Sequence, residues 1–190
     1  MIRPVVLAAA AAAAAAAALA ACSQEAPAPV TDAPAAADAA PTTAVTPLSV
    51  RAMVEANGPL ETVATLWNEN DSAGWNDVAG GIYRGEQAWL DIVPLIQPGV
   101  ENATSMDLNV SLAKALLTNP AGVLAATSTV AETCTNADAN YMESAEDAAA
   151  SNAAYYPAAI AAVEGVSDPA LATRKATCLT ALRAGQAAAG

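Results

Sequence analysis

The sequence predicts an all-α domain: an irregular bundle or stack of helical hairpins, built from seven to nine short helices and closed by a disulfide. Three observations predict it. Proline recurs where a first helical position would fall, each time behind a plausible start: Thr46-Pro47, Gly58-Pro59, Asn119-Pro120 and Asp168-Pro169. Apolar residues recur at helical rather than alternating spacing, and no Asn-Gly turn lies between alternating runs. Two cysteines, Cys134 and Cys178, both fall on apolar stripes.

The first element lies outside that domain. Arg3 supplies a positive start, and the stretch 5–21 is uncharged, with unbroken alanine over 8–18 between Leu7 and Leu19. This is the pattern of a secretory signal, and alanine is a weak apolar residue for a membrane span. The stretch ends in Leu19-Ala20-Ala21-Cys22, which resembles the lipobox of bacterial lipoproteins. The resemblance implies that residues 1–21 are a lipoprotein signal peptide, that a diacylglyceryl group joins the Cys22 sulfur, and that cleavage makes Cys22 the first mature residue. Further acylation with palmitate-type chains, at roughly 0.8 kcal/mol per buried methylene, makes the attachment permanent. Ser23 follows where many inner-membrane lipoproteins carry Asp. By the same resemblance the expected location is the outer membrane of a bacterial cell envelope, facing the periplasm.

Residues 22–47 read as the lipidated cysteine and a disordered tether. Pro27, Pro29, Pro34, Pro41 and Pro47 stand among Ala, Thr and Ser with almost nothing to bury. At about 3.1 Å per residue in polyproline-like extension, such a segment reaches on the order of 75 Å. Residues 48–190 are expected to form one acidic all-α domain.

Within that domain caps and apolar stripes place the elements in turn. Thr46-Pro47 predicts a helix over 47–56, and Gly58-Pro59 one over 59–67 with Leu60, Val63, Leu66 and Trp67 on one face. Ser72 is placed to cap a third, in which Trp75, Val78, Ala79, Ile82 and Tyr83 keep helical spacing until Gly85. A fourth is expected over 86–97, with Trp89, Val93 and Ile96 inward and Pro94 straining its last turn. Ser105 is placed to cap a fifth through Thr118, carrying Leu108, Leu112 and Leu116. The helix from Pro120 is expected to reach Cys134 on a stripe of Val123, Leu124, Thr127, Val130, Ala131 and Cys134. Residues 138–163 are alanine-rich and read as two helices separated at Pro157. The last helix, from Pro169, carries Leu171, Lys175, Cys178 and Leu182. Helix starts are irregularly spaced, so no repeat period emerges.

Several of these stretches are similar to uncharacterised exported all-helical proteins of proteobacteria. They are Gly85-Glu86-Gln87-Ala88-Trp89-Leu90, the Leu95-x-x-Pro98-Gly99 turn, Asn119-Pro120-Ala121 with Val123-Leu124, and Asp168-Pro169-Ala170-Leu171 with Cys178-Leu179. The resemblance covers about residues 75–185, implies a helical fold, and brings no activity with it.

Cys134 and Cys178 are an even pair once Cys22 is consumed, and in an oxidising compartment a disulfide between them is the expectation. The bond would staple the last helix to the bundle.

Composition limits the chemistry. The chain has no His, so Ser-His, Cys-His and His-zinc sites are excluded. Its net charge is −12, becoming −13 once Arg3 is removed, and 48–190 holds six cations against sixteen acids. Such a balance argues against nucleic acid and suits a basic protein partner. Asn68, Asn70, Asp71, Ser72, Asn76 and Asp77 invite a calcium-loop reading, but Ala73 and Ala79 stand where a Gly and a Glu are needed. Glu143, Glu146 and Asp147 read as a solvated face, Ser111-Leu-Ala-Lys114 lacks the companion motifs of penicillin-binding enzymes, and Gly80-Gly81 reads as a packing site. Trp67, Trp75, Trp89 and Tyr83 read as core.

The expectation is therefore a non-enzymatic, lipid-anchored envelope protein, a protein-interaction module of inhibitor or immunity type, without cofactor, metal or catalytic residues. Its expected partners are the membrane, through the lipid on Cys22, and a basic envelope protein. Two other readings stay open: a small-ligand-binding lipoprotein with an aromatic-lined groove, and a cell-wall hydrolase using two carboxylates.

Overall fold

A computed structural model describes residues 44–190. The expected signal peptide over 1–21, Cys22 and the expected tether as far as residue 43 lie outside the described residues. Among the latter there are helices and no strand: α1 Pro47–Asn57, α2 Pro59–Asn68, α3 Ala73–Tyr83, α4 Gln87–Leu90, α5 Val93–Ile96, α6 Asn102–Ala115, α7 Pro120–Ala126, α8 Val130–Thr133, α9 Ala145–Glu164 and α10 Ala172–Ala189. Three of the ten, α4, α5 and α8, are single turns, so the all-α fold rests on seven longer helices.

The proline starts hold because the residues ahead of them satisfy first-turn amides. The Ser49 N–H donates to Thr46 Oγ1 at 3.1 Å while the Thr46 N–H donates to Ser49 Oγ at 2.9 Å, a reciprocal cap. Asn119 Oδ1 accepts from the Gly122 amide at 3.0 Å, and Asp168 Oδ1 from the Ala170 amide at 2.9 Å. Gly58 joins α1 to α2 alone at φ 80°, a left-handed turn that a side chain would strain. Ahead of α1, the Val45 N–H donates to Asp77 Oδ2 at 3.2 Å, so packing already begins three residues before Leu48.

Five elements differ from the sequence expectation. The helix over 86–97 is divided into α4 and α5. Pro94 offers no amide to the Leu90 carbonyl, and Ile92 and Leu95 donate three residues back, at 3.3 and 2.9 Å. α6 begins at Asn102 rather than after Ser105, because Thr104 Oγ1 accepts the Glu101 N–H at 3.0 Å and donates to the Glu101 carbonyl at 2.8 Å. Ser72 precedes α3 but turns its hydroxyl back to the Trp67 carbonyl, 2.6 Å away, instead of capping. The stripe from Pro120 to Cys134 comes from two helices. Thr127 is extended at ψ 142°, and its hydroxyl meets that of Thr133 at 2.9 Å, which exposes Ala131. Finally, Pro157 does not divide the alanine-rich segment: α9 starts at Ala145, behind the Ser144 cap, and runs through the proline. The carbonyl deprived of its amide belongs to exposed Ala153, where water can replace it, while Tyr155, Tyr156, Ala159 and Val163 bury the opposite face.

Large side chains concentrate in the core of the first half: Trp75, Val78, Ile82, Leu90, Ile92, Ile96, Leu112 and Leu116 are all fully buried. α3 packs along α6 there, with Gly81 directly beneath the Trp89 indole. In the second half α9 pairs with α10, the Tyr156 ring lying over Gly185, and α8 abuts α10. Cys134, the residue just past α8, is joined to Cys178 of α10 in a disulfide, with their Cα atoms 5.2 Å apart.

Candidate docking groove

α2 turns one apolar face only partly inward. Val63 and Leu66 are buried, while Leu60 is 56% exposed and Trp67 is half-buried. The Pro98-Gly99 turn then carries the chain against the start of α2. A Cβ on Gly99 would meet the backbone of Pro59 and Leu60, so only glycine permits this approach. The chain leaves the turn into α6 through Glu101 and Asn102, the latter at φ 44°, a left-handed conformation unusual outside glycine.

A groove of about 220 Å³ results between α2 and the first turn of α6. Leu60, Val63, Ala64 and Trp67 form its apolar wall, and Glu101 and Asn102 form part of the other. Trp67 is held edge-on to Trp75, with ring centroids 6.5 Å apart at 71°, and Trp75 Nε1 donates to Asp107 Oδ2 at 3.3 Å. The Trp67 indole thus leans on a ring that is itself fully buried. Glu101 is exposed at the α6 N-terminus, where the backbone dipole stabilises a negative charge. An apolar wall beside a carboxylate suits an apolar side chain carried on a basic segment.

The other candidate residues do not converge. Asn70, Asp71 and Ser72 form a left-handed turn at φ 49°, 53° and 63°, and Asp77 is engaged by Val45, so the calcium-loop oxygens are not gathered around one point. Among the described residues no three Cys, Asp or Glu side chains lie close enough to hold a metal ion. Glu143, Glu146 and Asp147 are exposed at the start of α9, where they offset its dipole, and the Ser144 hydroxyl donates to Asp147 Oδ2 at 2.6 Å. Lys114 Nζ is paired with Asp138 Oδ2 at 2.7 Å, which takes it from any role as a base for buried Ser111. Trp75 and Trp89 are core, as expected, but Tyr83 is 50% exposed and Trp67 lines the groove. Burial, with a contribution from Tyr156, pushes the Tyr155 phenol up from its ordinary range, and its hydroxyl donates to the Ala113 carbonyl at 3.2 Å.

The groove escaped the sequence reading because it joins 60–67 to 99–104, two stretches whose approach depends on the Pro98-Gly99 turn. Its one local trace was the pair Leu60 and Trp67, two turns apart on a helix already supplied with Val63 and Leu66 for its core. No protein family, curated protein or solved structure matches the chain.

Proposed function

We propose that this chain is a lipid-anchored bacterial envelope protein that acts by binding a basic envelope protein, without catalysis, in the manner of an inhibitor or immunity module. The observation that carries the reading is the state of its acids. Of the sixteen in 48–190, fourteen are exposed, and only Glu86, Asp138 and Glu164 sit in ion pairs. Charge left uncompensated over a surface steers a basic partner toward it. The α2–α6 groove offers the apolar anchor that charge alone lacks. The lipobox-like Leu19-Ala20-Ala21-Cys22 supports attachment at the outer membrane facing the periplasm, and a Pro/Ala tether of the proposed length raises the effective concentration of the domain near envelope partners.

The test is a pull-down from membranes with the full chain, its Cys22→Ala form and a Leu60→Asp variant. The expected result is a basic protein retained by the native and Cys22→Ala chains, released by high salt and lost with Leu60→Asp. Retention indifferent to both salt and Leu60→Asp, or no partner at all, overturns the reading.

A further inference from the structure

We propose that the α2–α6 groove is one end of a longer track, continued between α3 and α6, and that this track receives a basic amphipathic helix of the partner. The proposal rests on the protein-binding reading above and names the shape of what is bound.

A second depression, of about 330 Å³, opens between α3 and α6, with Gly80 and Tyr83 on one side and Asp107 and Val110 on the other. Both depressions lie along one face of α6. Ala103 lines the first, Asp107 and Val110 line the second, and all three are half-buried. Their spacings of four and three residues stack them in a single row. At 1.5 Å per residue the row from Ala103 to Val110 is about 10.5 Å long. The two depressions are also tied together through the core: Trp67 of the first leans on Trp75, and Trp75 Nε1 donates to Asp107 of the second. Met106 stands exposed beside the row, and exposed Tyr83 flanks the second depression.

Gly80 points to a helix as the occupant. Glycine inside a helix is disfavoured, and Gly81 has its reason in the Trp89 indole packed against it. Gly80 has no such reason, since a Cβ there would meet only the flexible end of Arg84, at 3.3 Å. With half-buried Ala79 beside it, Gly80 keeps the outer face of α3 low enough for a second helix to approach closely. A helix laid along the row sets one apolar side chain against Leu60 and Trp67 and another over Gly80. Anchors seven residues apart fit, because seven residues of helix also span about 10.5 Å.

Charge narrows the helix. Glu101 and Asp107 border the row, and the cations of α6 and of the turn after α3, Lys114 and Arg84, are held by Asp138 and Glu86 at 2.7 and 2.6 Å. A second copy of this domain, with sixteen acids to six cations, is repelled. Residues 23–43 offer no better occupant, since they hold Glu25, Asp32 and Asp38 and no cation. The occupant is therefore a helix of another protein, rich in lysine or arginine, with apolar residues at i and i+7.

The probe is an amidated alanine–lysine peptide carrying two leucines seven positions apart, compared with an isomer whose leucines are five apart and so point to different faces. Both carry the same charge. Binding to the full chain is read by isothermal titration and by tryptophan emission, to which Trp67 responds because Trp75 and Trp89 are already buried. The seven-spaced peptide is expected to bind saturably, about tenfold or more tighter than its isomer, to shift the emission to the blue and to weaken in high salt. Gly80→Gln fills the second depression with a residue that a helix accepts more readily than glycine. It should leave circular dichroism unchanged and weaken the seven-spaced peptide about tenfold. Equal binding of the two peptides, native affinity in Gly80→Gln, or no saturable binding overturns the helical track. If Leu60→Asp releases the basic partner in the pull-down under any of those outcomes, the groove reading stands and the track alone falls; a partner that survives Leu60→Asp overturns both.

Discussion

Opening the Cys134–Cys178 bond tests what holds the second half of the fold together. The bond spans a sequence separation of 44, and the loop-entropy relation for that length gives about 4 kcal/mol of stabilisation, chiefly by restricting the unfolded chain. A domain of this size is commonly stable by about 5–15 kcal/mol, so the loss is a quarter or more of the whole. Both cysteines are fully buried, so reduction needs an opened chain and belongs in denaturant followed by refolding under reductant. Urea unfolding of oxidised and reduced protein, followed by circular dichroism at 222 nm, reads the difference; that wavelength reports helix, which is the entire regular structure described. With about 1–3 kcal/mol per molar of urea, the midpoint should fall by roughly 1.3–4 M. The melting temperature should fall by about 8–16 °C. Curves that coincide within about 1 kcal/mol would refute the reasoning, since the α8–α10 approach would then be fixed by packing and the unfolded chain would gain nothing from release.

Three further outcomes follow from named contacts. Gly81→Ala drives a methyl group into the Trp89 indole and should cost about 1–3 kcal/mol by urea unfolding, more than the same change at Gly80, where the nearest atom is the flexible end of Arg84. Asn119→Ala removes the α7 cap and the amide that donates to the Gly85 carbonyl at 3.0 Å, and should cost about 1–2 kcal/mol in the same assay. Tyr155 is raised in the folded state, so above its unfolded value of about 10 the unfolded chain sheds a proton that the folded chain retains. Stability is therefore full below about pH 10 and declines as pH rises past it; Tyr155→Phe should lower stability at neutral pH and flatten the alkaline decline, as read by unfolding at a series of pH values.

Helix starts were legible in the sequence because a cap and a proline act within one turn: Thr46, Asn119 and Asp168 each make the bond their spacing implies. Interruptions were less legible, and in both directions. Pro157 lies inside a 20-residue helix because its freed carbonyl faces solvent and four buried side chains secure the opposite face. Pro94 interrupts a shorter stretch, where the chain adopts three-residue bonds on both sides of it. At Thr127 the helix ends through a hydroxyl bond to Thr133, a partner six residues on that no helix-period pattern announces. The disulfide was legible from parity and stripe position. The groove and the depression beside Tyr83 were not, since each depends on segments more than twenty residues apart meeting in space.

The docking track and the last helix draw their rigidity from different sources, and this separates their behaviour. The α2–α6 groove rests on the half of the fold that holds the large buried side chains, with Trp67 braced on Trp75 and Leu66 fully packed beneath. Arg174, Cys178 and Leu182 recur every fourth residue along one face of α10, so Arg174, whose Nε donates to the Leu124 carbonyl of α7, lies one turn from the disulfide. Cys178 and Leu182 are the fully buried residues of α10, one of them the bridge itself, and Leu179, Ala181 and Gly185 add contacts to the core and to the Tyr156 ring of α9. Reduction therefore loosens α10 directly and the support of Trp67 hardly at all. Amide exchange along α10 should quicken on reduction while capture of a basic partner through Leu60 persists. A docking track that failed together with α10 on reduction would instead belong to a single cooperative unit, in which the disulfide supports the tryptophan core as much as the helix it joins.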